Sequence, residues 1–466
     1  MYALIVLLAL PANTWAVKDP QPPCRKASNL HALPVLDGAS KELVLFGGKG
    51  FEHIETGRIR SKDKKKVEFL GDTWTFSLSE GEWKRAELKG GQGPGPRWKM
   101  ESTTFADGRF LVMFGGCSTT TAQGVMNELW VLELNTADAA TWRQVYTHNA
   151  PPKRRGHVMA TNATHLVVFG GKTWGSEMVA GTYDKCITDL WLLPLAALTG
   201  DGNATWVQGS TFPAPCRWGA TGTGLHLADG SQVMAFFGGR SLSPTAQWHS
   251  TSPDAYRYFD DLYFYHFKND SWVLQHPGGA GKPCKRDHHG AARIGNDLYV
   301  FGGRVSEART ADADRADVWS YSVATNTWTE HPTSWYAPSA RFMPGVTSAL
   351  WYGSTVLVVF GGESLPGSTK KSSLNDLWLY SPHEGGGWIK LTDSHCSADY
   401  TGLYSLEDLA EELEGEVQRP HIVWWSLLAL LMTGLAMTSL AFYYAPSKTK
   451  QHGSQKHMES YHRIAA

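Results

Sequence analysis

The chain has 466 residues, 12% of them aromatic, with six cysteines and 48 glycines. Its 43 Lys and Arg stand against 44 Asp and Glu, a net charge of −1. That balance excludes recognition of nucleic acid through a large positive surface.

Residues 3–10, "ALIVLLAL", form a short apolar segment, and Thr14-Trp15-Ala16 ends on a small residue suited to cleavage. Residues 1–16 are therefore expected to be a signal peptide.

From residue 22 to 392 one pattern recurs six times. An apolar run ends in Phe-Gly-Gly at Phe46, Phe114, Phe169, Phe237, Phe301 and Phe360. A carboxylate and an aromatic follow each time: Asp72/Trp74, Glu128/Trp130, Asp189/Trp191, Asp261/Tyr263, Asp317/Trp319 and Asp376/Trp378. A lone tryptophan comes 9–15 residues later, at Trp83, Trp142, Trp206, Trp272, Trp328 and Trp388. A proline and basic cluster precedes each apolar run, as in "GPRW", "PPKRRGH" and "APCRWG".

Repetition at this spacing signals a repeat architecture. Each unit reads as four short strands. The first follows the basic cluster, the second is the apolar run, the third holds the carboxylate–aromatic pair and the fourth holds the lone tryptophan. A continuous apolar run suits a strand buried on both faces. The glycine pair permits positive φ and close approach, and an aromatic ring is expected to lie flat against it.

These six sets of Gly-Gly, downstream aromatic and spaced Trp resemble the kelch-repeat family. The resemblance covers residues 22–392 and implies an all-β, six-bladed kelch-type β-propeller. It also implies that partners bind where the 2–3 loops and the linkers from strand 4 to the next strand 1 share one face, here called the upper face.

All six cysteines map to that face. Cys24–Cys396 is expected to replace the linker that the ring lacks between blades 6 and 1, and adjacency suggests Cys117–Cys186 and Cys216–Cys284. The sequons Asn162, Asn203 and Asn269 map to the opposite face as N-glycosylation candidates. The upper face thus becomes the expected interaction surface for a protein or glycan ligand.

Two groups of basic residues are candidates for contact with it. Arg58, Arg60, Lys64, Lys65 and Lys66 lie in the first 2–3 loop, residues 49–70, and suit an anionic partner; the same charges also suit a solvated loop. Arg97, Arg155, Arg217, Arg286 and Arg341 belong to the repeated cluster. They either ring the channel mouth or pair with carboxylates such as Asp189 and Asp376.

No catalytic, cofactor-binding or metal-binding set is expected. Gly362-Glu363-Ser364-Leu365 begins like a nucleophile elbow but continues with Pro366. "DADRAD" at 312–317 lacks the glycine and the distal glutamate of a calcium loop. Asp287-His288-His289 offers two ligand types without an evident third. Galactose oxidase shows that the kelch fold accommodates copper chemistry, so a carbohydrate-active enzyme, such as a copper-dependent sugar oxidase or a sugar epimerase, is the alternative to a binding module.

Residues 393–420 read as an acidic juxtamembrane stalk, with "SLEDLAEELEGEV" opening on a Ser-x-x-Asp capping pattern. Residues 422–444 carry no charge and span about 35 Å as a helix, enough for one transmembrane α-helix. Trp424, Trp425, Tyr443 and Tyr444 sit at its ends. Lys448, Lys450 and Lys456 follow the span, which places the tail, 445–466, in the cytosol. The expectation is a single-pass type I membrane protein, its propeller lumenal or extracellular. Tyr461 and Ile464 match a tyrosine-based sorting signal, which implies a clathrin adaptor as partner.

Overall fold

A computed structural model of the chain describes residues 21–394, apart from 35–40, 52–66, 91–92, 119–123, 137–138, 175–183, 200–203, 244–254, 307–312, 335, 365–371 and 383–385. The expected signal peptide, transmembrane helix and tail lie outside the described residues, as does the stalk beyond residue 394. Among the described residues no helix is long and apolar enough to cross a membrane.

Six antiparallel sheets follow one another along the chain. Blade 1 comprises Asn29–Pro34, Lys41–Phe51, Val67–Ser77 and Glu82–Arg85. Blade 2 comprises Glu101–Phe105, Phe110–Phe114, Leu129–Thr136 and Ala139–Val145; blade 3 comprises Val158–Thr161, His165–Phe169, Leu190–Pro194 and Val207–Gln208. Blade 4 runs from Thr221–His226 to Ser271–Leu274, blade 5 from Gly290–Ile294 to Thr327–His331, and blade 6 from Gly345–Trp351 to Gly387–Thr392. Each blade uses four strands in sequence order, to which Arg25–Lys26 adds a short strand in blade 1 and Glu87–Leu88 one in blade 2, so the ring closes without exchange of a strand between its ends. Short 3₁₀ turns such as Leu195–Leu198 supply the helical structure.

The apolar runs explain why the sheets stack. Alternate side chains of a strand point to opposite faces, and here each face meets a neighbouring blade. In blade 1, Leu43 and Leu45 join Val356, Val358 and Phe360 of blade 6. Val44 and Phe46 join Leu111 and Met113 of blade 2. The same division recurs around the ring, giving one apolar cluster between every adjacent pair of blades.

The lone tryptophans seal these clusters. Each ring meets the Phe of the preceding blade's Phe-Gly-Gly: Trp142 on Phe46, Trp206 on Phe114, Trp272 on Phe169, Trp328 on Phe237, Trp388 on Phe301, and across the closure Trp83 on Phe360. Centroids lie 4.9–5.6 Å apart. This corrects the expectation that an aromatic lies on the glycines. What crowds the first glycine is the backbone of the next blade. A Cβ at Gly302 (φ +67°) would sit 2.8 Å from the Arg341 carbonyl oxygen, and one at Gly361 (φ +58°) would sit 2.9 Å from that of Arg25.

The closure between blades 6 and 1 repeats the other junctions. Ala27 N donates to Met343 O at 3.0 Å, Asn375 Nδ2 donates to Pro22 O at 3.0 Å, and Lys26 pairs with Glu363.

Truncating Trp83 to alanine opens the blade 1–blade 6 cluster. Large-to-small changes of this kind cost about 3–5 kcal/mol. Chemical denaturation of Trp83→Ala is expected to show a loss of that order with the m-value retained.

Candidate binding surface at the channel mouth

The repeated arginine does one job in all six blades. In each, Nη1 donates to the carbonyl of the first glycine of that blade's doublet, from Arg25 to Gly47 at 3.0 Å through Arg341 to Gly361 at 3.0 Å. The same guanidinium meets the strand 3 carboxylate: Arg25–Asp72, Arg97–Glu128, Arg154–Asp189, Arg217–Asp261, Arg286–Asp317 and Arg341–Asp376, all at 2.5–2.8 Å. In five blades the tryptophan two residues on donates its indole N–H to that carboxylate, as in Trp319 to Asp317 at 2.9 Å. Blade 4 has Tyr263 there, and its ring faces Arg217 instead.

Three of the buried carboxyls are tuned by two opposed effects. Burial pushes Asp72, Asp317 and Asp376 up, and the facing arginine reverses it, holding all three below the ordinary carboxylate range.

Four of the expected partner-binding arginines are therefore interior. Arg97, Arg217, Arg286 and Arg341 are at most 3% exposed. Their guanidinium–carboxylate pairs, bidentate for Arg217, Arg286 and Arg341 and single for Arg97, engage donors that a partner would need. In blade 3 the equivalent residue is Arg154, and Arg155 stands one slot further on, half-buried at the mouth. Arg58, Arg60, Lys64, Lys65 and Lys66 lie outside the described residues.

The slot after the arginine forms the mouth. Lys26, Trp98, Arg155, Trp218, Asp287 and Phe342 pair there with the residue after each glycine doublet: Lys49, Cys117, Lys172, Arg240, Arg304 and Glu363. Aromatic rings alternate with cations. Trp98 carries the ammonium groups of Lys49 and Lys99, 4.8 and 4.7 Å from its centroid. Trp218 carries Lys172 at 4.3 Å and Arg240 at 5.5 Å, and Phe342 carries Arg304 at 3.3 Å and Lys26 at 5.6 Å. Contacts of this type hold a cation in place at about 0.5–2 kcal/mol each.

Three acids answer these cations among the described residues of the mouth. Asp287 forms an ion pair with Arg240 at 2.9 Å, Asp314 accepts from Arg304 at 3.1 Å, and Glu363 faces Lys26. Among the described residues, Lys26, Lys49, Lys99, Arg155, Lys172, Arg240 and Arg304 gather at the mouth.

Below the mouth a channel of about 1010 Å³ is lined by the first strands of the six blades. A belt of backbone hydrogen bonds, 2.7–3.0 Å long, circles its neck. It runs from Gly156 N to Lys99 O, Gly219 N to Gly156 O, His288 N to Gly219 O, Met343 N to His288 O and Ala27 N to Met343 O. Every residue in the belt has a left-handed φ, between 48° and 65°. Blades 3 and 4 place glycine there. Lys99 and His288 hold the same conformation at a cost of about 1–2 kcal/mol each, and both line the channel. Glu101 also lines it, and burial raises its carboxyl to about 8.

Asp287-His288-His289 is not a ligand set. His288 Nδ1 donates to Asp287 Oδ2 at 2.5 Å, whereas His289 Nε2 meets Thr221 and its ring packs on Phe237. Burial lowers both histidines to about 3, so both are neutral. Among the described residues no three His, Cys, Asp or Glu side chains converge as metal ligands. In "DADRAD", Asp314 and Asp317 each face an arginine.

The cysteines pair differently from expectation. Cys186 bonds Cys216, with Cα atoms 5.7 Å apart, while Cys117 is free and buried and Cys284 is free and exposed. The short antiparallel pair Lys172–Trp174 and Asp184–Cys186 carries Cys186 to the linker that follows its own blade. Cys117 instead pairs through its backbone with Trp98, and Arg155 Nη1 lies 3.5 Å from its sulfur. Cys24 is disulfide-bonded; its expected partner, Cys396, lies outside the described residues.

Of the sequons, Asn162 lies in the 1–2 turn of blade 3 and Asn269 in the 3–4 turn of blade 4, away from the mouth. Asn203 lies outside the described residues. Sequence reasoning missed Trp98, Lys99, Lys172, Trp218, Arg240 and Arg304. Their signal was positional: they sit next to the arginines and the glycine pairs.

Comparison with known proteins agrees with this geometry. The family profile described as "KLHDC2/KLHL20/DRC7 Kelch-repeats domain" matches residues 30–255 and 221–398. The chain is 28% identical over 312 residues to Multiple epidermal growth factor-like domains protein 8 of Mus musculus, covering 64% of this chain and 9% of that protein. It is 23% identical over 346 residues to Kelch domain-containing protein 10 of Xenopus tropicalis, covering 73% of each. Against Adagio protein 3 of Arabidopsis thaliana the identity is 32% over 271 residues, 57% of this chain and 37% of that protein. The match thus spans less than half of the mouse and plant relatives.

Two outcomes follow. Removing one partner of a buried ion pair costs about 3–5 kcal/mol, so Arg286→Met is expected to lose that much on denaturation, and Arg286→Met/Asp317→Leu to recover a large part. Because Asp72, Asp317 and Asp376 titrate below their unfolded values, the stability they contribute is present above about pH 4 and drains away as pH falls through the folded values. A denaturation series from pH 7 to pH 2 checks this. Separately, non-reducing peptide mapping is expected to recover a Cys186–Cys216 cross-link, and Cys186→Ala/Cys216→Ala to cost roughly 2–4 kcal/mol.

Proposed function

We propose, for a chain that belongs to the kelch-repeat family, a protein-binding module whose ligand docks on the upper face and presents an acidic segment to the channel mouth. One observation carries this reading: among the described residues of the mouth, cations are fixed against Trp98, Trp218 and Phe342. Pre-positioned charge lowers the ordering cost of binding and steers an oppositely charged partner. The same sandwiches argue against a neutral sugar, since the faces of Trp98 and Trp218 on which a pyranose would stack already carry cations.

The export signals in the sequence belong to the same proposal. Residues 1–16 read as a signal peptide and 422–444 as one membrane span, and the Cys186–Cys216 bond suits an oxidising compartment. The proposed protein is a type I receptor or cargo-binding protein, with the propeller outside the cytosol and a clathrin adaptor on Tyr461 and Ile464.

Proximity labelling around the full-length chain tests the binding surface. Partners rich in Asp and Glu are expected, and Lys49→Glu/Lys172→Glu is expected to weaken their capture by about tenfold or more. Raising the salt concentration weakens it in the same direction. Capture that ignores both changes removes the mouth as the binding surface.

A further inference from the structure

We propose that the neck of the channel, at Lys99, is a binding site for a phosphate group. The inference rests on the reading of the mouth as a binding surface and names the chemistry of its deepest point.

Three observations meet there. Lys99 stands in a left-handed slot (φ 53°) that Gly156 and Gly219 fill in blades 3 and 4 and Ala27, His288 and Met343 fill in the others, and of the six it alone brings an ammonium group to the neck. That ammonium lies among Arg155, Lys172 and Arg240, and the acid that interacts with it is Glu101, whose carboxyl burial raises to about 8. Burial, and then Lys172, Arg155 and Arg240, depress it well below the ordinary lysine range, so an anion arriving there relieves an unfavourable arrangement. The Trp98 ring under Lys99 and the Trp218 ring under Lys172 and Arg240 restrain these cations from swinging out to solvent.

The third observation selects the anion. His288 lines the same channel, its side chain 8% exposed. Its Nδ1 donates to Asp287, so Nε2 is a bare acceptor, and this buried atom has no hydrogen-bond partner. Hydrogen phosphate answers both needs. Its charged oxygens face Lys99 and the surrounding cations, and its hydroxyl donates to His288 Nε2. Sulfate has the same shape and charge but carries no proton at neutral pH.

Isothermal titration of the full-length protein with inorganic phosphate, sulfate and phosphoserine tests the site. Saturable phosphate binding is expected, with sulfate about tenfold weaker for want of one hydrogen bond to a buried group. Lys99→Gly restores the residue type of blades 3 and 4. It is expected to keep or raise the thermal midpoint while abolishing phosphate binding, and Lys99→Met is expected to abolish it as well. Phosphoserine binding alongside phosphate assigns the site to an ester-borne group, and phosphate binding alone assigns it to the free ion. An absence of saturable phosphate binding, sulfate as tight as phosphate, or a folded Lys99→Gly that still binds overturns the site. Partner capture in phosphate-free buffer separates the two readings. Capture without phosphate binding overturns this site alone, and phosphate binding without capture removes only the protein-binding reading.

Discussion

A guanidinium clamped between a glycine carbonyl and a carboxylate recurs in every blade, and the architecture hangs on it. The arginine sits at the start of a blade, the glycine at the end of its second strand, and the carboxylate on its third. One side chain thus fixes three segments that are far apart in sequence. The carbonyl of the same arginine accepts from the second glycine of the preceding blade, as Arg341 O does from Gly303 N at 2.9 Å. The residue therefore sets the internal geometry of one blade with its side chain and the spacing to the next with its backbone.

Buried ion pairs of this kind repay their desolvation only when geometry is good and the remaining donors are satisfied. Blade 5 shows the donors met. In Arg286, Nε donates to the Cys284 carbonyl, Nη1 to Gly302 and Asp317, and Nη2 to Asp317. The indole N–H of Trp319 takes a further lone pair of the carboxylate. Apolar clusters supply the adhesion between blades, and the arginines supply the register.

This division of labour decides where binding chemistry can sit. With the repeated arginines spent inside, the positions beside them share a backbone pairing with the residue after each glycine doublet, while their side chains are free to vary. They differ from blade to blade as Lys26, Trp98, Arg155, Trp218, Asp287 and Phe342. The scaffold is six-fold in its interior and irregular at its rim. The Cys186–Cys216 bond lies on that same side, tying a 2–3 loop to the linker beside it.

The sequence alone determined the number of blades and the strand order within each, because these follow from short-range periodicity and from glycine positions that only a particular backbone conformation demands. It also contained the choice between a surface and an interior role for Arg97, Arg217, Arg286 and Arg341, but left it open. Tertiary structure settled that choice, since pairing with Glu128, Asp261, Asp317 and Asp376 depends on the fold bringing together residues 31–44 positions apart. It likewise decided the partner of Cys186 and the cations of the mouth. Distance between side chains on different blades is a property of the closed ring, and no local pattern encodes it.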